Sequence, residues 1–370
     1  MKHIVLVSPT LGGGGAERTV IMLANALSSD SDLRVSLIVA TTKGAAGQLK
    51  SELLANVQLV DFDCDRVWGL LSCLPAWLKN IRPDVVICTQ THANIICYFA
   101  IKRSGHSCRF IVREVSTPSV NLKHNKGIKK WLIQSLMRYV YHRANHIVAV
   151  SQGAASDLES YLNCTFSHLV VIYNPVISSV LYEKAKEPLD HPWFVDKHDL
   201  PVILAVGRLT EAKNYPLLIE AFAEVVKKTP ARLMILGEGE ERSHLEKIIL
   251  DLEIVDVVSL AGFDSNPFRY MSRCDVYVMS SKWEGLPGSL IQALALGANV
   301  VSTDCPSGPR EILQDGKYGF LVKESREDLS DAILAALQLD KALYFNLTMI
   351  DFKIESAKKK YLSLINMKNS

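Results

Sequence analysis

Residues 202–222 read VILAVGRLTEAKNYPLLIEAF, an apolar run, a polar loop and an amphipathic stretch in succession. Val202–Val206 is continuously apolar rather than alternating, the pattern of a strand covered on both faces in a parallel sheet. Gly207 to Asn214 forms the loop that leads into the next helix. The same strand–loop–helix unit recurs on both sides. Downstream, Arg232–Leu236, Val257–Leu260, Val276–Met279 and Asn299–Ser302 are strand-like, each followed by a helical pattern. Upstream, the runs are His3–Ser8, Arg34–Ala40, Val57–Asp61, Asp84–Thr89, Arg109–Arg113, His146–Val150 and Leu169–Tyr173. The helix expected between the first two carries an apolar stripe through Val20, Leu23, Ala24 and Leu27.

The alternation breaks after Tyr173. Asn174-Pro175 is a turn signal, and residues 182–200 are charged, proline-bearing and aperiodic. Two βα series separated by such a break imply an α/β chain of two doubly wound, Rossmann-like domains facing across a cleft, at 1–175 and 201–345, with a linker at 176–200. Ligands of such sheets bind at the carboxyl ends of the strands, so chemistry is sought there.

Composition narrows the class. The chain has 370 residues, 48% hydrophobic and 22% charged, the balance of a globular enzyme with room for two cores. A net charge of +2 gives no global nucleic-acid signal, and no nucleic-acid partner is expected. The eight cysteines are scattered without a C-x-x-C pair, which points to a reducing, cytoplasmic setting and no metal site. Met-Lys-His runs straight into a strand-like segment, so no signal peptide is expected, and no apolar stretch approaches the ~20 residues of a membrane helix.

Three strand ends carry anion-binding chemistry. The first run is followed by Gly12-Gly13-Gly14-Gly15-Ala16-Glu17, where glycines admit close approach of a ligand and the next helix turns its amides toward an anion. The run is out of register with the dinucleotide fingerprint, and by itself it also fits a loose strand–helix turn. The second domain opens with Arg208 at the end of a strand and Lys213 before a helix. A guanidinium and an ammonium can neutralise a diphosphate leaving group without a metal, although two loop cations also fit an ordinary surface. The third piece is Trp283-Glu284-Gly285-Leu286-Pro287-Gly288-Ser289, where a short helix is expected to begin just after Glu284, with Pro287 in its first turn and Gly297 as its stop. Its amides carry partial positive charge, and Glu284 can accept hydrogen bonds from sugar hydroxyls or serve as a helix-end charge. Each element is weak alone; together they argue for a nucleotide sugar.

Over nearly its whole length the chain resembles the family-4 retaining glycosyltransferases of the GT-B fold. The resemblance rests on GGGGAE at 12–17, VSQGAASDL at 150–158, YNPV at 173–176, GRLTEAKNYPLLIEAF at 207–222, LGEGEER at 236–242, WEGLPGSLIQALALG at 283–297 and TDCPSGPREIL at 303–313. It implies that Arg208 and Lys213 bind the donor diphosphate and stabilise it as it leaves. It also implies that Gly14 and Gly15 approach the phosphates, that Glu284 contacts sugar hydroxyls, and that the amides around Leu286, Pro287, Gly288 and Ser289 help hold the donor. Glu238 and Gly262-Phe263 would lie near the base and ribose. The final FKIESAKKKYLSLI resembles the helix at 346–370 that crosses back onto the first domain. Retention of anomeric configuration, a UDP-sugar donor, an acceptor-binding first domain and no cofactor or divalent metal follow from the same resemblance.

Two departures stand out. A second glutamate usually follows the first by eight positions; here that position is Gln292, which keeps a carbonyl acceptor for ribose and loses the charge. Many relatives carry a histidine after the fifth strand, where this chain reads Arg113-Glu114-Val115-Ser116. Arg113, Glu114, His92 and Glu17 are the acceptor-side candidates.

Residues 123–143, KHNKGIKKWLIQSLMRYVYHR, hold six Lys/Arg and no acidic residue. Leu132, Leu136, Tyr139 and Val140 are expected to pack inward, leaving Lys123, Lys126, Lys129, Lys130 and Trp131 for an anionic membrane surface. A solvated helix face with a buried aromatic is the plainer reading of the same stretch. The expectation is a glycosyltransferase at the inner face of the cytoplasmic membrane, moving a hexose or N-acetylhexosamine to a polyprenyl-diphosphate-linked glycan of a surface polysaccharide such as O-antigen. A sugar-nucleotide epimerase or a non-catalytic sugar-nucleotide sensor is the alternative.

Overall fold

The computed structural model describes residues 1–12, 14–123, 126–195, 200–340 and 349–367. Gly13 of the glycine run, His124 and Asn125 of the basic stretch, 196–199 of the expected linker and the boundary expected at 345/346 lie outside the described residues. The chain divides into two units, residues 1–175 with 351–370, and residues 176–350.

The first unit holds β1 (Lys2–Ser8), β2 (Leu33–Val39), β3 (Gln58–Asp61), β4 (Val85–Thr89), β5 (Arg109–Glu114), β6 (His146–Ala149) and β7 (Leu169–Val171). They form one sheet in the order β3-β2-β1-β4-β5-β6-β7, every pair parallel. The continuous apolar runs are explained by two-sided burial. Val5 and Val7 join the core under the helices Leu70–Ile81, Thr91–Ser104, Gly127–Tyr141 and Gln152–Leu162, while Ile4 and Leu6 join the core under Gly15–Ser28 and the C-terminal helix Ile354–Asn366. That last helix contributes Ala357, Tyr361, Leu364 and Ile365 to the first unit's core. Lys358 Nζ donates to Ser29 Oγ at 2.9 Å and Lys2 Nζ to Asn366 Oδ1 at 2.7 Å along its length.

The second unit holds β8 (Val202–Val206), β9 (Arg232–Leu236), β10 (Val258–Gly262), β11 (Val276–Met279), β12 (Asn299–Thr303) and β13 (Phe320–Val322), in the order β10-β9-β8-β11-β12-β13 and again parallel. The three-residue β13 is too short to carry a periodicity, and nothing in the sequence marked it. Residues 176–195, read from sequence as linker, carry the helices Ser179–Ala185 and Pro192–Val195 within the second unit. Asn266 Nδ2 fastens the first of these by donating to Lys184 O at 2.9 Å and to Glu187 Oε2 at 2.7 Å.

Both sheets reverse direction of growth beside their first strand, β1/β4 in one and β8/β11 in the other. At such a switch point the loops leaving the two strands diverge and open a crevice at the carboxyl ends.

Candidate active site

In the second unit the crevice is lined by the loop after β8 and the loop after β11. Gly207 begins the first. A Cβ there would lie 2.9 Å from Tyr215 Oη and 3.1 Å from Lys213 Cε, so only glycine leaves room for the Lys213 side chain to cross. The loop closes with a single turn, Glu211–Lys213, and Asn214 at φ +51 redirects the chain into the helix Tyr215–Lys228. Asparagine tolerates that left-handed conformation, and its side chain is anchored by Glu324 Oε1 at 2.9 Å.

These constraints deliver Lys213 Nζ to Glu284 Oε1 at 2.6 Å. Ser281 Oγ donates to the same carboxylate oxygen at 2.7 Å. The pair was not visible in the sequence, where the two residues are 71 positions apart. Arg208 is exposed and its guanidinium has no hydrogen bond or ion pair among the described residues, while Leu209 beside it is fully buried and anchors the loop.

The helix near Glu284 starts later than expected. It spans Gly288–Ala295, with Pro287 as the residue before its first turn, at φ −73 and ψ 96. Gly285 to Pro287 is therefore loop. It lies against Gly308, whose φ is +101 and whose hypothetical Cβ would clash with Pro287 Cδ at 2.4 Å. Gly297 stops the helix as expected, at φ +82. The amides of Gly288 and Ser289 lie in the first turn and have no partner inside the helix. The Ser289 hydroxyl is engaged by the buried Tyr277, whose pKa is raised by burial above all. Gln292 is half-buried on the second turn.

Cys305 lies close enough to this pair to feel it. Burial first, then the Glu284 charge, pushes its thiol up to about 12, with Lys213 acting in the opposite direction. At the far side of the sheet, Gly237 N donates to Gly262 O at 2.8 Å, and Glu238 Oε1 lies 3.1 Å from where a Gly262 Cβ would stand. Arg242 pairs with Glu238 at 2.8 Å, and Phe263 is 58% exposed beside them.

In the first unit, Gly14 precedes the helix Gly15–Ser28 and stands against Glu17, whose Oε2 would be 2.4 Å from a Cβ. Glu17 Oε1 is also 3.5 Å from Gln90 Nε2. Gln90, at the end of β4, holds φ +81, a strained value for a residue with a side chain. Its dipeptide neighbours give no sequence signal of this. His92 is exposed one residue into the next helix. Loss of hydration, and then the Lys129 cation, lower its pKa.

Arg113 and Glu114 do not reach the surface. Arg113 is 1% exposed and donates to Asn174 Oδ1 beneath the C-terminal helix. Glu114 is fully buried, accepting from Tyr141 Oη at 2.8 Å, Thr91 Oγ1 at 3.0 Å and Ser116 Oγ at 3.0 Å. Burial pushes its carboxyl above the usual range. Both side chains are buried where the sequence reading expects acceptor-side groups, because strand alternation sends one into each core.

The basic stretch forms the helix Gly127–Tyr141. Its inward side is Ile133, Leu136, Met137, Val140 and Tyr141. Leu132 and Tyr139, expected inside, are 49% and 44% exposed. Ile128 and Trp131 are 85% and 67% exposed, and Lys126, Lys129 and Lys130 stand beside them. Among the described residues no helix is long and apolar enough to cross a membrane, and no group of three His, Cys, Asp or Glu side chains could hold a metal.

Residues 13–179 match the family described as Glycosyltransferase Family 4, and residues 190–345 match Glycosyl transferases group 1. The chain is 32% identical, over 89% of its length and 88% of the relative's, to the N-acetylgalactosamine-N,N'-diacetylbacillosaminyl-diphospho-undecaprenol 4-alpha-N-acetylgalactosaminyltransferase of Campylobacter jejuni. It is 33% identical to a glycosyltransferase of Methanocaldococcus jannaschii over 68% of this chain and 66% of that one. Among solved structures, Anabaena HepE in complex with UDP-glucose superposes with a TM-score of 0.80 at 17% identity, covering 98% of this chain and 99% of that one.

Proposed function

We propose that this chain, which belongs to the family-4 glycosyltransferases of the GT-B fold, transfers a hexose or N-acetylhexosamine from a UDP-sugar to a polyprenyl-diphosphate-linked glycan during surface-polysaccharide synthesis. The observation that carries the reading is the Lys213–Glu284 pair at the switch point of the second sheet, with the exposed Arg208 on the loop that supplies Lys213.

Breaking the bond between the sugar's anomeric carbon and the diphosphate leaves charge on phosphate oxygen. Arg208 and Lys213 are the groups that meet that charge, aided by the first-turn amides of Gly288 and Ser289. Two cationic side chains supply the neutralisation that a divalent ion gives other transferases, so the reaction proceeds without metal. Glu284 accepts hydrogen bonds from the sugar, and Glu238 with Phe263 flanks the nucleoside, Gln292 taking the ribose. The acceptor hydroxyl adds to the face the diphosphate leaves, so an α-linked donor gives an α-linked product, and the hydroxyl proton departs with the leaving phosphate.

The acceptor half rests on the first unit. The opening turns of the helix Gly127–Tyr141 bury almost nothing, and set Ile128, Trp131 and Leu132 among Lys126, Lys129 and Lys130. Apolar side chains ringed by lysines fit an anionic lipid surface, where the acceptor's diphosphate and polyprenyl chain lie. The relative from Campylobacter jejuni is named for an undecaprenyl-diphosphate-linked acceptor. The enzyme therefore works at the inner face of the cytoplasmic membrane, with Glu17 and His92 on the acceptor side.

The test is a panel of UDP-glucose, UDP-galactose, UDP-N-acetylglucosamine and UDP-N-acetylgalactosamine against lipid-linked saccharides, with released UDP and product linkage measured. Transfer with retention and in the presence of chelator supports the reading. UDP-sugar conversion without any acceptor would replace it with an epimerase.

A further inference from the structure

The loop leaving β11 is held by three hydroxyls, none of them exposed. Ser280 Oγ donates to the carbonyl of Lys213 at 2.8 Å, fixing the backbone that carries the ammonium. Ser281 Oγ donates to Glu284 Oε1 at 2.7 Å. Thr303 Oγ1, from the end of β12, donates to the carbonyl of Ser281 at 2.7 Å and so fixes the serine itself. Ser281 and Thr303 are 0% exposed and Ser280 is 2% exposed, so these bonds form in the dry base of the crevice, where a hydrogen bond to a carboxylate is strong.

Two donors, Lys213 and Ser281, meet on a single oxygen of Glu284. Holding one carboxylate oxygen from two directions stops the group rotating and gives its other oxygen a constant direction. The two donors are not equivalent once a diphosphate is present, because the ammonium is then shared with, or surrendered to, phosphate. A serine hydroxyl has no such competitor. It is the donor that stays.

We infer that Ser281 is the positioning residue of the site: it holds Glu284 toward the sugar while Lys213 changes partner, and Thr303 is the latch that keeps it there. This rests on the assignment of Glu284 to the sugar. The role is specific to the sugar half of the donor, so loss of the hydroxyl is felt by the UDP-sugar and not by UDP.

The experiment compares wild type, S281A, E284Q, S281A/E284Q, T303V and T303S in UDP titration calorimetry and in kcat/KM for the UDP-sugar that supports transfer. S281A is expected to lower kcat/KM about tenfold, the loss of one hydrogen bond to a charged group, while its Kd for UDP stays within about threefold. In the E284Q background, adding S281A costs less than about twofold, because the two residues act as one unit. T303V follows S281A, and T303S, which keeps the hydroxyl, matches wild type. The threonine pair carries the same test if S281A does not fold. Wild-type turnover in S281A and T303V beside an impaired E284Q, or losses that multiply in the double variant, overturns the positioning role alone. Wild-type turnover in E284Q overturns the sugar assignment itself, and this role with it.

Discussion

Lys213 and Glu284 form a 2.6 Å ion pair between the two loops of the second sheet's switch point, with side chains only 22% and 14% exposed. A pair this shielded is neither a solvent-screened surface bridge nor a fully buried one. Its Coulombic gain is partly offset by lost hydration, so the net stabilisation is small. Such a pair is cheap to exchange. In the proposed reaction a diphosphate would compete for the ammonium and sugar hydroxyls for the carboxylate, and the two residues would hold each other in place until a donor arrives.

Partner exchange predicts opposite effects of two substitutions on UDP, which has no sugar. Lys213→Ala removes a phosphate contact and weakens UDP binding by about tenfold or more. Glu284→Gln releases Lys213 from its competitor, so UDP binds as tightly as in wild type or a few-fold tighter. Titration calorimetry reads both. Equal weakening by the two would mean that Glu284 orients Lys213 rather than competing for it.

Arg208 is exposed and unpaired among the described residues, so its removal has nothing to destabilise. Arg208→Ala should leave Tm within a degree or two, a change of less than about 0.5 kcal/mol. It should lower kcat/KM by about 100- to 1,000-fold, the range for losing one preorganised group at a developing anion. Arg208→Lys keeps the charge and loses the two-pronged geometry, and should recover only part of the loss. A fall in Tm that matches the fall in activity would make Arg208 a structural residue.

The strands were legible because burial on both faces writes itself as an unbroken apolar run. Val202–Val206, Arg232–Leu236 and Val276–Met279 coincide with β8, β9 and β11 to the residue. The site was legible as a set of strand-end residue types, and less so as contacts. Arg113-Glu114 looks like a charged strand end, yet Glu114 accepts from Tyr141, 27 positions on, and Arg113 donates to Asn174, 61 positions on. No local pattern encodes partners at that distance. The phase of the basic helix differs from the sequence expectation by about one position, which is about 100° of rotation and exchanges Leu132 and Tyr139 for Ile133, Met137 and Tyr141. A stripe on a helix is defined by the surface it meets, and the sequence does not show that surface. Ser281 is one of two serines that follow β11, and its contact depends on a carboxylate folding back onto it from three residues later.

Gln292 occupies the position where the family resemblance implies a second glutamate, and it is half-buried on the second turn of the helix that follows the Glu284 loop. A carboxylate there would accept ribose hydroxyls with charge assistance. Gln292→Glu should therefore tighten UDP by roughly 1–2 kcal/mol, about 5- to 30-fold. Turnover should hold or rise. Weaker UDP binding in the variant would show that the glutamine's NH₂ group donates to the nucleotide, and that the substitution is an adaptation rather than a loss.

Glu114 gives a stability prediction with a definite sign. Burial raises its pKa in the folded chain above the ordinary value of 4.5, against the opposing effect of hydrogen bonds from Tyr141, Thr91 and Ser116. The native state thus holds the proton more tightly than the unfolded chain. The carboxyl's contribution to stability is most favourable below the unfolded value and is lost as pH rises through the folded one. Glu114→Gln has no proton to lose. The difference in Tm between variant and wild type should move in the variant's favour as pH is raised from about 4 to 8. A constant difference across that range would mean that the three hydroxyls hold Glu114 ionised at its ordinary value.

If the helix Gly127–Tyr141 meets the membrane as proposed, it separates two components of binding that are usually entangled. Lys126, Lys129 and Lys130 would provide the electrostatic part, worth about 1 kcal/mol each near an anionic surface. Ile128 and Trp131, 85% and 67% exposed, would provide the apolar part. Lys129→Glu with Lys130→Glu should abolish flotation with vesicles containing phosphatidylglycerol at low salt, and wild type should be released as ionic strength rises. Ile128→Ser with Trp131→Ser should instead weaken binding at every salt concentration and leave the salt dependence unchanged. Both pairs belong to the first unit and the UDP-site candidates to the second, so the Kd for UDP should stay at the wild-type value in both. Binding that ignores lipid charge, salt and all four substitutions would place the acceptor-side surface elsewhere on the first unit.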